Sequence, residues 1–480
     1  MAEPTALVWF RKDLRISDNP ALANAIESGL PVHCLYLLET GKTAWQSGEA
    51  SKWWLHHALE DLRANLKRSN LRLTIRSGSP EREIPAVLAE CNATHLYWNR
   101  RYDSESIKVD TQLKSSLTDQ GFSVTTSNAA LLHEPFRIQN KSGKPFKVFT
   151  PFWKTCLTRK IDLPTETRIH DAKPPKEFPE TLALEDLGLL PTIKWDATFY
   201  EYWTPTEAGA HAALESFAKD AVCDYDLQRD IPSTKGTSTL SPFLASGQIS
   251  PRQIWAQIAR KHPLNSPDVQ RYLSEIGWRE FAYHLLFHFP HTTDEPLREE
   301  FKHFPWKRDE ADLEAWKTGQ TGYPMVDAGM RELWATGWMH NRVRMIVASF
   351  LVKHLLQPWQ EGAKWFWDTL VDADLASNSL GWQWTAGCGA DASPYFRVFN
   401  PIGQGEKFDA EAVYIKKWVP ELSKLPTKYI HRPWDAPKEI LEYCQINYGE
   451  DYPEPIISHF PARERALEAY HRLKNSKLTA

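Results

Sequence analysis

Polar and aromatic side chains that could hold a flat or charged ligand are concentrated in one stretch, residues 372–384. Two carboxylates two residues apart are followed by an amide and then by two indoles that flank a glutamine. Indoles stack on flat partners and can also carry electrons. The run 363–371 before them is apolar at helical spacing, which predicts a helix that packs one face inward. The alternative interpretation is a well-packed helix end with ordinary core tryptophans. The residues are Asp372, Asp374, Asn378, Trp382 and Trp384.

This stretch resembles the flavin-binding core of the DNA photolyase and cryptochrome family. The strings D-x-D-x-x-x-N, W-Q-W and P-Y-F-R-x-F-N-P follow one another in this order between Asp372 and Pro401. The resemblance spans nearly the whole chain and is strongest over 225–410. It implies an amino-terminal α/β domain, a linker and an all-α domain that binds FAD.

Composition limits the class of protein. A chain of 480 residues can form two or three domains. It has no run of 18 apolar residues and no basic segment before the first apolar residues, so we expect neither a membrane span nor a secretory signal. Six scattered cysteines without a C-x-x-C pair indicate a reducing compartment, with no disulfide framework and no zinc site. We therefore expect a cytoplasmic protein without a metal.

The net charge of −4 is a weak argument against nucleic-acid binding, because such binding depends on a local basic patch.

Residues 1–133 alternate short apolar runs with amphipathic segments, which predicts a doubly wound parallel sheet of five strands. Asn19 can cap a helix that has Pro20 at its first position and Gly29 at its end. No G-x-G-x-x-G follows the first strand. The arginine-rich run 10–20 found there is similar to photolyases, whose α/β domain holds an antenna chromophore, but we favour an ion-pair cluster at a domain interface. The candidate strands are 6–10, 32–37, 71–75, 95–98 and 122–126.

Residues 134–205 are rich in proline and lose periodicity, which predicts a long ordered interdomain linker. The segment 148–154 is expected to anchor this linker by burial of its aromatic side chains. Helical patterns dominate residues 206–480, the predicted FAD-binding and DNA-binding catalytic domain.

A cluster of hydroxyls precedes a candidate helix that Pro242 can open. Hydroxyls and free backbone N–H groups at a helix amino-terminus can bind an anion, although such a cluster is more often only a helix cap. Because a Y-x-x-x-R-D string precedes it, the segment is similar to the one that cradles the FAD pyrophosphate in photolyases. The residues implied are Tyr225, Thr237, Ser238, Thr239, Leu240 and Ser241.

The resemblance also assigns residues to the flavin ring. Asp372, Ala373 and Asp374 would flank the flavin, and Arg344 would pair with Asp372, because an unpaired buried carboxylate protonates. Asn378 would face N5 and accept from a reduced N5–H without adding charge. The other FAD-binding residues implied are Arg279, Trp338 and Asn341.

Two helices would face the substrate. On a helix over 269–288, Glu275, Trp278 and Arg279 share one face by their spacing. The E-x-x-W-R-E-F string resembles photolyases that repair cyclobutane pyrimidine dimers, in which the Glu bonds the thymine carbonyl edge and the Trp stacks on the dimer. In the string W-M-H-N-R-x-R-M, Arg342 would lean outward toward a phosphate. The full set implied for DNA and substrate is Arg229, Glu275, Trp278, Arg279, Asn341, Arg342, Met345, Trp384 and Arg397.

The function implied is deoxyribodipyrimidine photo-lyase activity: light-driven repair of cyclobutane pyrimidine dimers by one electron from excited FADH⁻. Trp382, Trp359 and Trp306 match the family's electron-transfer chain, although core packing is the commoner role of a tryptophan. The expected partner is UV-damaged DNA, bound by a monomer, and the expected antenna is methenyltetrahydrofolate, with a deazaflavin as the alternative.

A cryptochrome-type photoreceptor is the rival function, and Asn378, the E-x-x-W pair and Met345 argue against it. A thermal flavin oxidoreductase would need a nicotinamide site, and no motif for one is visible. Class I and class III photolyases both remain open.

Overall fold

The computed structural model describes residues 3–41, 44–392 and 396–476. Its contacts divide the chain into two compact units. The first unit comprises Met1–Asp220 with Ser238–Pro290, and the second comprises Ala221–Thr237 with His291–Ala480. This division differs from the segments 1–133, 134–205 and 206–480, which stay predictions.

The first unit is built on a parallel five-stranded sheet with the order β3-β2-β1-β4-β5. The predicted fold class is therefore confirmed. Strand β1 is fully buried, and in the register its Trp9 lies between Leu35 and Trp98. Burial on both faces explains why β1 is a continuous apolar run rather than an alternating one. The strands are β1 Thr5–Phe10, β2 Val32–Glu39, β3 Leu73–Gly78, β4 Ala93–Asn99 and β5 Ser123–Ser127.

Helices cover the sheet and form the whole second unit, joined by loops and short 3-10 turns. A π-helical turn over Phe350–His354 continues α14. No helix in the described ranges is long and apolar enough to cross a membrane. In chain order the α-helices are α1 Pro20–Glu27, α2 Glu49–Arg68, α3 Pro80–Glu90, α4 Ser104–Asp119, α5 Phe149–Leu157, α6 Phe199–Tyr202, α7 Glu207–Lys219, α8 Tyr225–Gln228, α9 Ser241–Ser246, α10 Pro251–Lys261, α11 Pro267–His288, α12 Glu310–Lys317, α13 Pro324–Thr336, α14 Asn341–Ser349, α15 Trp359–Thr369, α16 Leu375–Ala386, α17 Pro401–Phe408, α18 Val413–Trp418, α19 Thr427–Ile430, α20 Lys438–Cys444 and α21 His459–Ser476.

Local capping chemistry sets several helix ends. The Asn19 side chain accepts from the Leu22 N–H, Pro20 opens α1, and Gly29 follows α1 with a φ of 72°, as the sequence predicts. Helix α10 begins with a capping box in which Ser250 and Gln253 satisfy each other's backbone N–H groups.

The arginine-rich run after β1 forms a buried ion-pair cluster, so that part of the prediction is confirmed. Arg15 donates to the Gly247 carbonyl at 2.8 Å. Asp18 lies 2.9 Å from the Arg252 guanidinium and also accepts from the Ser250 hydroxyl. The cluster lies inside the first unit, where it fastens residues 238–290 to the carboxyl edge of the sheet.

The predicted aromatic anchor of the linker is also present. Phe149, Phe152 and Trp153 of α5 are buried, and α5 packs against α11. The helices approach closely at Gly277, where an added Cβ would lie 2.6 Å from the Trp153 ring. The absence of a side chain at this position therefore permits the packing.

Replacing Gly277 with alanine tests this packing. We expect Gly277→Ala to lower the free energy of unfolding by roughly 1–3 kcal/mol, because the methyl group overpacks α5 against α11. Urea unfolding followed by tryptophan fluorescence measures the change. The control is Gly403→Ala in α17, where the nearest atoms to an added Cβ are 3.9 Å away. Alanine there should be neutral or stabilising by up to about 1 kcal/mol. Equal behaviour of the two variants would contradict the close approach.

Candidate functional site

A buried ion pair joins Arg344 of α14 to Asp372. Two guanidinium nitrogens donate to the two carboxylate oxygens at 3.1 and 2.7 Å, and the Asp372 side chain is 3% exposed. The Arg344 Nε donates to the Met339 carbonyl at 2.7 Å, which fixes the plane of the fork. The pair that the resemblance implies is therefore present. A paired carboxylate keeps its charge in a buried position and can orient the polar edge of a ligand.

Asp374 begins α16, where its side chain accepts from the Ser377 N–H at 2.8 Å. This cap places Asn378 in the first turns of the helix. The Asn378 Nδ2 donates to the Ala363 carbonyl of α15 at 3.0 Å. The amide is thereby held with its Oδ1 available as an acceptor, and no donor to Oδ1 exists in the described part of the chain. The role of Asn378 as an acceptor toward a reduced N5–H stays a prediction.

The hydroxyl cluster before α9 has a special backbone. Pro242 lies in the first turn of α9, as predicted. Thr239 has a φ of 50°, which is costly for a β-branched residue, and Leu240 follows with right-handed helical angles. Successive residues of opposite hand turn their N–H groups to one side and form an anion-binding nest. Within the described residues, neither the Thr239 nor the Leu240 N–H donates to a protein acceptor.

The other residues assigned to this cradle lie where the chain passes between the units. Tyr225 is buried in α8 of the second unit, which also contains Thr237, and Ser238–Ser241 belongs to the first. An added Cβ at Gly236 would lie 2.6 Å from the Gln228 carbonyl oxygen, so the loop passes close to α8.

Helix α11 presents Glu275, Trp278 and Arg279 as half-buried side chains. The Trp278 ring stacks on Phe149 with centroids 3.9 Å apart and planes 9° apart. Phe149 thus fixes the plane of the indole and is a positioning residue that the sequence did not identify. Arg279 donates to the Ala130 carbonyl at 2.7 Å.

Glu280, next to these residues, is buried and was also missed. Its carboxylate accepts from the N–H groups of Leu132 and His133 at 3.0 and 3.1 Å. Burial raises the pKa of the Glu280 carboxyl to about 7. These bonds hold the segment just before the linker against α11. A glutamate within an otherwise apolar helix face was the available signal.

Arg342 does not lean outward as the sequence predicts. Its guanidinium pairs with Asp230 at 2.6 Å, lies over the Phe408 ring at 4.4 Å and is 18% exposed. Arg229 lies over the Tyr225 ring at 5.3 Å. The carboxylate of Asp230 attracts Arg342 inward because ion pairing is stronger in a partly desolvated position. The phosphate contacts of Arg229 and Arg342 stay predictions.

Trp384 and Arg397 line one small cavity of about 20 Å³ together with Lys353. Lys353 donates from Nζ to the Ala386 carbonyl at 2.8 Å, which fastens the end of α16. Burial lowers the pKa of Lys353 well below its ordinary value. A single lysine within an apolar run was the signal for this residue. Pro394 and Tyr395 of the P-Y-F-R string lie outside the described residues, whereas Arg397 is exposed.

The three tryptophans assigned to electron transfer are buried to different degrees. Trp382 and Trp359 are 2% and 1% exposed, and Trp306 is half-buried. In the described part of the chain, the ring contacts of Trp382 are with Phe366 at 5.0 Å and Trp316 at 6.2 Å. The order of a transfer chain through Trp359 and Trp306 stays a prediction.

The remaining predicted residues surround the ion pair. The Trp338 ring lies 5.9 Å from the Arg344 guanidinium, and Ala373 is buried between the two aspartates. Asn341, at the start of α14, is exposed, and Met345 is half-buried one turn later. These four residues lie in the second unit beside Arg344, as their spacing suggests.

Two stretches of the chain match the models of known protein families. Residues 6–176 match the family model described as DNA photolyase, and residues 272–472 match the FAD binding domain of DNA photolyase. The chain belongs to the DNA photolyase and cryptochrome family.

Individual relatives cover almost the full chain. A deoxyribodipyrimidine photo-lyase from Agrobacterium fabrum is 48% identical over 98% of both chains. Cryptochrome-2 from Arabidopsis thaliana is 39% identical over 98% of this chain and 79% of the relative. The crystal structure of a bacterial class III photolyase from Agrobacterium tumefaciens superposes with a TM-score of 0.95 at 47% identity, covering 99% of this chain and 98% of that one.

Breaking the buried ion pair tests its role. We expect Arg344→Met to lower the free energy of unfolding by about 3 kcal/mol, because the Asp372 charge is left in a buried position without its partner. Adding Asp372→Asn to this variant should recover part of the lost unfolding free energy. Urea unfolding of the two single variants and the double variant measures the interaction free energy between the two side chains.

The control for this cycle is Arg472→Met on α21. Arg472 also pairs with a carboxylate, Glu468, but the two side chains are 80% and 66% exposed. The change in unfolding free energy should be at most about 1 kcal/mol. A loss in Arg344→Met no larger than in this control would show that the buried pair does not stabilise the fold.

Proposed function

We propose that the protein is a deoxyribodipyrimidine photo-lyase, which splits cyclobutane pyrimidine dimers in DNA under light. The observation that carries the proposal is the arrangement of Glu275 and Trp278 one turn apart on α11, with the indole plane fixed by Phe149. A flat platform beside a carboxyl group suits a flipped-out pair of damaged bases, which needs both stacking and a hydrogen-bonding partner for the edge that carries its carbonyl and N–H groups. The relative from Agrobacterium fabrum carries this enzyme name.

The residues of the second unit suit a bound FAD. Within this unit, the Arg344–Asp372 pair and Asn378 suit its ring. Taken by itself, the nest at Thr239 and Leu240 suits an anionic group such as a pyrophosphate. When bound and reduced, FAD supplies the electron that light transfers to the dimer. The neutral Asn378 amide accepts a hydrogen bond without adding a negative charge, which suits a reduced anionic flavin. By the family resemblance, plant-type cryptochromes carry an acidic residue at this position instead.

The DNA strand would be held by arginines through its phosphates. Arg397 is exposed and lies near Trp384, so it can reach a phosphate directly. Arg342 would first have to break its ion pair with Asp230. Phosphate contacts position the strand without reading its sequence. We infer a monomer that acts on UV-damaged DNA in the cytoplasm.

The comparisons bear on the subclass, whereas the antenna is a separate proposal. The likeness to a solved class III photolyase supports membership of class III rather than class I. We propose methenyltetrahydrofolate as the antenna, with a deazaflavin as the alternative. Chromatography of the chromophores released from the purified protein distinguishes the two.

The decisive experiment follows repair of an oligonucleotide that carries one thymine cyclobutane dimer. The purified protein is reduced under argon, and recovery of thymine absorbance is measured under blue light and in the dark. We expect light-dependent repair, which Glu275→Gln should slow by roughly 10–100-fold because removing a hydrogen-bonding charge from the substrate costs about 1.5–3 kcal/mol.

Asp268→Asn, at the first turn of the same helix, is the matched control and should repair at the wild-type rate. Trp278→Ala should chiefly weaken binding of damaged DNA. Flavin that is photoreduced normally while the wild-type protein repairs nothing would overturn the proposal and favour a cryptochrome, the name of the Arabidopsis relative.

Salt dependence tests the phosphate contacts. We expect Arg397→Ala to weaken binding to all duplexes and to reduce the slope of log K against log salt by about 0.9, the value of one lost phosphate contact. Arg342→Ala should show the same change if Arg342 leaves Asp230 on binding. Fluorescence anisotropy at a series of salt concentrations measures the slope, and Arg472→Ala on α21 is the control that should leave it unchanged. An unchanged slope in either test variant removes that arginine from the DNA face.

A further inference from the structure

Helix α2 in the first unit carries a group of side chains that is unrelated to the flavin residues. Among the described residues, His56, His57 and Glu60 form a group whose ligating atoms all lie within 4.8 Å of one another. Glu60 is four residues from His56 and three from His57, so the helix brings all three together on one side. His56 is 9% exposed, whereas Glu60 reaches the surface.

Polar atoms in this region are buried without a partner. Within the described ranges, no group offers a hydrogen bond to His56 Nδ1 or Asp196 Oδ1. Asp196 is 1% exposed and lies in the linker just before α6, where its other oxygen accepts from the Tyr200 hydroxyl at 3.2 Å. Buried polar atoms are satisfied in nearly all native proteins, so a group of unsatisfied atoms indicates a missing partner.

The electrostatics suit a cation. Burial lowers the pKa of His56 and of His57, and the nearby carboxylates of Glu60, Glu185 and Asp196 only partly offset this effect. The same carboxylates favour a positive ion near the two rings. Neutral imidazole nitrogens together with a carboxylate are ligands that zinc-type ions prefer, while Ca²⁺ and Mg²⁺ prefer oxygen alone.

We propose that His56, His57 and Glu60 bind one divalent transition-metal ion of the zinc type, with Asp196 of the linker as the adjacent carboxylate. Bond lengths of about 2.0–2.2 Å require the ligand atoms to lie roughly 3.3 Å apart in a tetrahedral site. His57 Nδ1 and the Glu60 carboxylate are already 3.7 Å apart. Small side-chain rotations complete the site.

The site would fasten the linker to α2. Trp53 of α2 already packs edge-on against Phe199 and Tyr200 of α6, at 5.2 and 5.3 Å between ring centroids. An ion shared between α2 and Asp196 adds a polar link beside this apolar contact. The absence of a C-x-x-C pair argues only against cysteine-rich zinc sites, and these ligands contain no cysteine.

Equilibrium dialysis of the full-length flavin-loaded protein against Zn²⁺, with the metal measured by mass spectrometry, tests the proposal. We expect one zinc per chain in the presence of excess Mg²⁺. Glu60→Gln and the double variant His56→Gln/His57→Gln should each lower the affinity at least ten-fold. The matched controls are Glu105→Gln on α4 and His170→Gln, both at exposed positions, and they should bind as the wild type does.

A second measurement separates metal binding from folding. Glu60 is exposed, so Glu60→Gln should unfold at the wild-type temperature in the presence of a chelator. Zinc should raise the unfolding temperature and slow proteolysis of the linker in the wild type and in both controls, but not in Glu60→Gln. Less than one zinc per chain, or equal affinity in the test and control variants, would overturn the proposal.

Discussion

The second unit depends on an ion pair that compensates a carboxylate buried away from water. Taking Asp372 out of solvent costs several kcal/mol unless a partner compensates, and the Arg344 fork does so with two parallel hydrogen bonds. Arg344 belongs to α14, and Asp372 lies in the turn between α15 and α16. The pair therefore fixes these three helices relative to one another. Asn378, which bonds to α15 from α16, takes its position from the same arrangement.

Buried carboxylates perform the corresponding task in the first unit. Asp18 binds the Arg252 guanidinium and thereby holds α10 at the edge of the sheet, and Glu280 accepts from two N–H groups of the segment just before the linker. Each contact joins segments that are far apart in sequence. As a result α11 is packed against the linker helix α5, and Trp278 has a rigid aromatic neighbour in Phe149. The orientation of the proposed substrate platform thus follows from the packing of the linker.

Local patterns in the sequence were sufficient for the architecture. Strand–helix alternation predicted the five-stranded parallel sheet, and the Asn19–Pro20 pair and Pro242 marked helix starts that the structure contains. These features are short-range, because capping and periodicity depend on residues within one or two turns. The Arg344–Asp372 pair was also predicted, but through the resemblance of its motifs to a family rather than through periodicity. The order of the electron-transfer tryptophans was beyond both kinds of argument.

Most strands and helices could be predicted from the sequence alone, and the residue types proposed for the flavin site were chosen on the same basis. The partner of each side chain depends on the packing of the whole chain. This packing turned Arg342 toward Asp230, stacked Phe149 on Trp278 and brought Asp196 near His57 of α2. The physical reason is that charge pairing and ring stacking act between segments remote in sequence. Burial and distance set their strength, and neither is defined until the whole chain has packed.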